Sequence, residues 1–467
     1  SKECSAVTEA DESGSLDMRR LMRALSRRDA LKGMLATGCA LAAGCGGSAS
    51  NAGGTNPAQG GGPPVGVTMP TTQAEFLDLM IRQGCLYFWE QASAATGQVL
   101  DRARNSLGGA MDTRTVASIA ATGFGLTALC IADSYGYLPG VTHTQIEARV
   151  QAALDWHLNQ MPEENGFFYH FCDVNTGAPE TGSEVSSIDT AILLCGALAA
   201  RAYFGADNAQ IQSLATQIYE RVNWPWMLNG GTTFSMGWFP QSGFIAARYD
   251  TYCELMMLYL LAIGSPTYPI AASYWNNFAR PVLSYQGYSY ISSNADPLFT
   301  HQYSHAWFDF RNKSDAYANY FTNSVTATKA HRAFCIAAYP QWYNASYWGI
   351  TSSDFAGGYT AWGGPPAQGP IDGTVVPCAA AGSLAFDAAD CYEVLNALLG
   401  TYGNPAWGRY GFADAFHPAA NWYDPDVMGI DLGIGVLMAE NLRSGMIWNV
   451  FMSNAEAAGA MQAVGFH

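Results

Sequence analysis

Charge is scarce in this chain, and basic charge is scarcer still. Only 13% of the 467 residues are Asp, Glu, Lys or Arg, and 22 Lys and Arg stand against 38 acids for a net charge of −16. A surface of that sign repels phosphate backbones, which excludes nucleic acid as a partner. Long hydrophobic runs are lacking near the start, where the apolar stretch from Met34 to Ala43 is too short to span a bilayer. No charged or low-complexity linker interrupts the chain after about residue 70, so one large domain is expected over residues 71–467. Cysteine clusters of the metal-binding kind are also missing. Of 11 Cys, Cys4, Cys39 and Cys45 precede that domain and the rest are scattered through it. Cys195 and Cys253 fall in apolar stretches and are expected to be free, buried thiols.

What the chain does carry begins with an address. Ser26-Arg27-Arg28-Asp29-Ala30-Leu31-Lys32 follows the twin-arginine export pattern, except that Ala30 stands where Phe is usual. Residues 1–45 therefore read as a bacterial signal peptide, with a periplasmic or membrane-anchored destination. Leu41-Ala42-Ala43-Gly44-Cys45 resembles a lipoprotein cleavage box with Cys45 as the lipidated residue and a lipid anchor as the consequence. Ala42 stands where that box normally has Leu, which leaves ordinary cleavage near Ala42, or use of Cys39, open. Residues 46–70 are rich in Gly, Ser, Pro and Asn and read as a disordered tether.

The domain itself is helical by periodicity. Ala74–Gln91, Thr115–Tyr135, Thr144–Gln160, Ser187–Tyr203, Ala209–Asn223, Tyr249–Ile263, Ala316–Tyr339, Asp387–Gly400 and Gly433–Ser444 carry apolar residues at three- and four-residue spacing. Strand candidates such as Gly166–Phe171 and Tyr288–Ile291 are too few for a large sheet. The expected fold class is all-α, a barrel of paired inner and outer helices with long aromatic loops at one end. With 13 Trp and 25 Tyr the chain has material both for a core and for platforms that stack on sugar rings.

Acids on otherwise apolar helices point to chemistry, because a carboxylate turned inward loses hydration unless water, a partner or a substrate compensates it. Asp250 and Glu254 are four apart, so a helix over Tyr249–Ile263 would place both on one face. The aromatic run Met236-Gly237-Trp238 lies just upstream. Glu184 stands at a helix start, where a carboxylate also satisfies free amides, and Asp189 falls one turn inside. His301 and His305 beside Gln302 and Trp307 make a polar cluster suited to hydroxyl groups. A zinc pair has the same spacing, but neither a helix signal nor a third ligand accompanies it, and no metal is expected.

Seven ordered stretches resemble the glycoamylase-like family over about residues 73–455. They are Gly166 to Phe171 with His170, Ser183 to Ala191 with Glu184 and Asp189, Tyr252-Cys253-Glu254-Leu255, Leu261 to Thr267, Phe299 to Asp309, Gly408 to Phe416 with Asp414, and Asn421-Trp422-Tyr423-Asp424-Pro425-Asp426. This family includes the family 144 glycoside hydrolases, which are endo-β-1,2-glucanases, and a module of cyclic β-1,2-glucan synthases. The resemblance implies an (α/α)6 barrel with a glucan cleft and carboxylate catalysis without cofactor. It implies Glu254 as general acid, Glu184 as base activating water, and Asp189 as its substitute. Asp250, Arg248, His301, His305, Trp307, Trp238, Trp422 and Asp424 would contact substrate.

Glycosidases need one acid to protonate the leaving oxygen and a second carboxylate for water or carbon. The expected activity is inverting hydrolysis of β-glucan, most specifically β-1,2-glucan. Two alternatives stay open: an α-glucan hydrolase or transglycosylase on the same barrel, and a non-catalytic, surface glucan-binding lipoprotein. The run Tyr359-Thr360-Ala361-Trp362-Gly363-Gly364-Pro365-Pro366 departs from the family's usual Gly-rich segment and leaves linkage and chain length open.

Overall fold

The computed structural model describes residues 60–106, 108–293 and 297–467. The expected signal peptide, with Cys45, and the expected tether as far as residue 59 lie outside the described residues. Residues 60–70 run against the barrel: Gly62 N–H donates to Thr401 O at 2.9 Å, and Asn404 N–H donates back to Gly62 O at 2.9 Å. These backbone bonds supply an anchor that side-chain composition does not reveal.

In chain order the helices are α1 (Gln73–Glu90), α2 (Ile119–Tyr135), α3 (His143–Asn159), α4 (Ser187–Phe204), α5 (Ala209–Glu220) and a short α6 (Trp224–Leu228). They continue with α7 (Met256–Gly264), α8 (Tyr320–Ala338), α9 (Pro377–Ala381), α10 (Ala388–Ala406), α11 (Gly429–Arg443), α12 (Met446–Phe451) and α13 (Ala455–Ala463). Helices α2, α4, α7 and α11, with α9 and the 3-10 turns over Leu298–Ala306, are buried almost throughout and form the inner ring. The rest wrap them: α1 packs on α2 and α11, α5 on α3 and α4, and α13 on α7. The architecture is the expected (α/α)6 barrel.

Outer helices show their starts in the sequence. Thr72 with Glu75 and Thr142 with Gln145 form capping boxes, which satisfy amides that the first turn leaves open. Inner helices are apolar on every side because they are enclosed on every side. Helix α4 is long and apolar enough to cross a membrane, yet 83% of that stretch is buried inside the barrel. All eight Cys of the described residues are free, and Cys195 and Cys253 are buried as expected.

Short antiparallel strands precede the inner helices. Val116–Ser118 pairs with Phe171–Asp173 ahead of α2, Val185–Ser186 with Gly237–Phe239 ahead of α4, and Asp426–Met428 with Arg102–Arg104 ahead of α11. These pairings tie together the loops at the end of the barrel where the inner helices begin.

Here the structure corrects one expected helix. Residues 249–255 are not helical, and α7 begins only at Met256. Arg248–Tyr249 pairs antiparallel with Phe234–Ser235, while Ala279 N–H donates to Asp250 O at 2.7 Å and Tyr252 N–H donates to Ala279 O at 2.8 Å. The helical spacing of Asp250 and Glu254 is overridden by partners far along the chain, and the aromatic and β-branched residues Tyr249, Thr251 and Tyr252 suit an extended backbone.

Burial also sets the protonation of four histidines. Desolvation lowers His301 and His305 to about 3 and His157 and His331 to about 4. An unfolded chain takes up protons that these rings refuse, so their contribution to stability is full above about pH 6.5 and is lost as pH falls towards 3. In ring-selective NMR all four should keep neutral-form shifts at pH 5. Exposed His143, raised by its hydrogen bond to Asp133, should already be charged at pH 6. Titration of His301 or His305 near pH 6.5 would contradict their enclosure.

Candidate active site

Four titratable residues converge at the start of α4. Glu184, just ahead of strand Val185–Ser186, and Asp189, in the first turn of α4, are both buried. Ser186 caps α4 by accepting from Asp189 N–H, and its hydroxyl donates to Asp189 Oδ2 at 2.6 Å. Between the acids lies His170, with Nδ1 3.3 Å from Glu184 Oε1 and Nε2 3.5 Å from Asp189 Oδ1. Both ring nitrogens face carboxylates, so the imidazole can pass a proton between them and hold both acids in position. The fourth residue is Glu254, which is 3% exposed. Its main-chain O accepts from Ser304 Oγ at 2.7 Å, and the same hydroxyl accepts from Met257 N–H at 3.0 Å. Ser304 thus fixes the turn that presents Glu254.

His170, Glu184, Asp189 and Glu254 line one pocket of about 500 Å³, closed by Ser186, Ile188, Ile192, Met236, Tyr249, Phe299 and Tyr303. The sequence singled out the three acids. It did not single out His170 as a site residue, although that ring stands in one of the seven stretches. Asp250 lies outside the pocket lining, and its Oδ1 accepts from Thr251 Oγ1 at 3.2 Å.

Other expected substrate contacts have structural partners. Arg248 donates to Leu228 O at 2.6 Å, to Thr233 Oγ1 at 3.0 Å and also to Thr233 O, which secures the loop before its strand. Trp307 is fully buried, donates to Thr127 Oγ1 at 2.9 Å and rests on Phe124. The imidazole of His305 is 3.1 Å from Ser324 Oγ inside the core. His301 meets the Tyr252 hydroxyl at 3.2 Å and lines a separate pocket of about 190 Å³ with His331 and Pro365. Trp238, half-buried, leans on Trp226 beside the strand that holds Glu184, since it pairs with Val185. Trp422 is half-buried opposite His417 in a two-residue strand pair.

Asp424 belongs to a second acidic group. Asp354, Asp414 and Asp424 bring carboxylate oxygens within 4.8 Å of one another. Burial, then the neighbouring charges of Asp431, Asp354 and Asp424, holds the Asp414 carboxyl well above the usual range. Burial, then Asp354, raises Asp424 to about 8. Asp431, in the first turn of α11 as Asp189 is in α4, lines a second pocket of about 440 Å³ with Asp414 and Met428. The Tyr303 hydroxyl donates to Asp431 Oδ1 at 3.5 Å, so this tyrosine stands between the two pockets. Asp354, Asp414 and Asp431 are not among the site residues expected from the sequence. Asp431 had the same signal as Asp189, an acid on an apolar helix.

Residues 247–455 match the family model described as "Glycoamylase: Putative glucoamylase". That match runs from just before the turn that carries Glu254 to the start of α13, and it agrees with the resemblance to the glycoamylase-like family read from the sequence. The chain is 27% identical to an exo-β-1,2-glucooligosaccharide sophorohydrolase of Parabacteroides distasonis, over 85% of its own length. It spans 58% of the length of that curated relative. Its fold superposes on the endo-β-1,2-glucanase of Chitinophaga pinensis, solved with sophorotriose and glucose, with a TM-score of 0.77 and 25% identity. That match covers 85% of this chain and 99% of the other. The β-1,2-glucanase of Parabacteroides distasonis gives a TM-score of 0.78 at 25% identity, covering 85% of this chain and 61% of the other. An endo-β-1,2-glucanase of Talaromyces funiculosus shares the fold alone, at 11% identity and a TM-score of 0.61 over 84% of this chain and 89% of the other.

Proposed function

We propose that this glycoamylase-like protein hydrolyses β-1,2-glucan with inversion, using Glu254 as general acid and Glu184 as general base. The observation that carries the reading is the shared pocket: Glu254 enters it from the turn before α7, and Glu184 and Asp189 enter from the start of α4. The linkage is that of the similar β-1,2-glucan-cleaving enzymes of Parabacteroides distasonis and Chitinophaga pinensis. In the proposed step Glu254 gives its proton to the glycosidic oxygen as the bond from that oxygen to C1 breaks. A water oxygen attacks C1 from the opposite face, and Glu184 takes the proton that the water loses. His170 holds Glu184 and offers a path for that proton towards Asp189. Phe299, Tyr249 and Tyr303 give the pocket aromatic walls for the C–H faces of glucose.

The test is product analysis with the purified protein on β-1,2-, β-1,3-, β-1,4- and α-1,4-glucans. Release of β-1,2-linked oligosaccharides, with the α-anomer appearing first by NMR, is expected. A β-anomer first would remove Glu184 from the role of base, and release from the α-glucan alone would overturn the linkage.

A further inference from the structure

The aspartate group beyond Tyr303 is organised differently from the histidine-bridged acids of the first pocket. Each carboxylate is anchored through one oxygen. Arg102 holds Asp354 Oδ2, Asp354 N–H donates to Asp414 Oδ2 at 2.9 Å, and Asp426 N–H donates to Asp424 Oδ1 at 3.0 Å. The opposite oxygens of the two most buried members, Asp414 Oδ1 and Asp424 Oδ2, have no hydrogen-bond partner among the described residues, although these residues are only 5% and 7% exposed. A buried carboxylate oxygen without a donor is costly unless something compensates it.

The local cations are already engaged. Arg102 pairs with Asp354 and also with Asp101 at 3.1 Å, and Arg114 pairs with Asp426 at 2.6 Å and with Asp112 at 2.7 Å. Arg102 is shared between Asp354 and Asp101, so the ionised aspartate group carries more negative charge than its local cations offset, which a divalent ion would complement. The donor set contains oxygen alone, which selects hard cations over zinc or copper.

We propose that Asp354, Asp414 and Asp424 bind a divalent hard cation of the calcium class, each through one carboxylate oxygen, with water completing the shell. The three ligands come from three segments: the hairpin Ser353–Phe355 with Gly358–Thr360, the stretch that follows Gly411–Phe412, and the loop between Trp422–Tyr423 and Asp426–Met428. Calcium suits loop ligands because it tolerates irregular coordination, whereas magnesium demands a near-octahedral shell. Bound there, the ion would clamp the loop end of the barrel next to the second pocket, whose lining includes Asp414. The site stands whether or not the protein hydrolyses glucan.

The test uses the purified protein stripped with EDTA and dialysed. Titration calorimetry with CaCl2, run beside MgCl2, is expected to show one equivalent bound. Terbium is expected to give luminescence sensitised by Trp362, whose Nε1 donates to Ser353 Oγ at 3.1 Å beside Asp354. Calcium should raise the melting temperature of the wild type over that in EDTA. Asp424→Asn should weaken calcium at least about tenfold and remove that rise, because a charged ligand is lost. Asp414→Asn serves where Asp424→Asn does not fold. Two results overturn the proposal: absence of binding by the wild type to calcium, magnesium and terbium, which would leave the group to be compensated by protons, or equal affinity in wild type and variants, which would place the ion elsewhere.

Discussion

Replacing Glu254 with Gln is expected to lower kcat on β-1,2-glucan by roughly 10²- to 10⁴-fold, the contribution a positioned general acid makes. Gln has nearly the same shape as Glu and keeps an oxygen and a donor in the pocket, but it has no acidic proton to place on the glycosidic oxygen. KM should change little, because the lost interaction forms as the bond breaks and not when substrate binds. An activated aryl glycoside, whose leaving group departs without a proton, should recover most of the loss. The main-chain tie from Ser304 Oγ to Glu254 O survives the substitution, so the turn should keep its position. A variant that retains full kcat would take the acid's role away from Glu254. A variant that loses substrate binding and kcat together would make Glu254 a binding residue.

The second large effect concerns stability. Inner helices α2 and α4 touch backbone to backbone: a Cβ on Gly196 would lie 2.1 Å from Gly123 O, and one on Gly123 would lie 2.4 Å from Ile192 O. Both obstacles are main-chain atoms of enclosed helices, so no side chain can swing aside. Gly196→Ala is expected to destabilise the protein by about 3 kcal/mol, the upper end for overpacking. The lower urea midpoint should be accompanied by lower activity, because α4 carries Asp189 and begins two residues after Val185. Gly459→Ala in α13 is the contrast, since a Cβ there meets nothing within 4 Å. That change should stabilise by about 0.5 to 1 kcal/mol, because Ala loses less backbone entropy than Gly in a helix. Equal effects at the two positions would rule out close helix contact as the cause.

Particular residues show what kind of information each level carries. Glu184 and Asp189 stood out because an acid before or within an apolar helix is conspicuous without any neighbour, and the structure brings both to the pocket with Glu254. Glu254 lines the pocket, but it sits on a turn and not on the expected helix face shared with Asp250. The family resemblance implied Trp307 and Arg248 as substrate contacts, yet Trp307 is core and Arg248 is tied to the backbone of its neighbouring loop. Residue type states what a side chain can do and leaves open which way it faces.

Helix period, the capping boxes before α1 and α3, the surplus of acid over base and the enclosed character of α2 and α4 were all determined by the sequence, because they depend on residues within a few turns of one another. Tertiary structure decided the rest. Strand partners at Phe234–Ser235 and Ala279 hold residues 249–252 extended against their helical spacing. His170 comes between Glu184 and Asp189 only when its strand neighbours pair ahead of α2, and Asp354, Asp414 and Asp424 meet only when three loops close over the barrel end. Such contacts depend on chain closure over long separations, whose energy lies in partners that no local window contains.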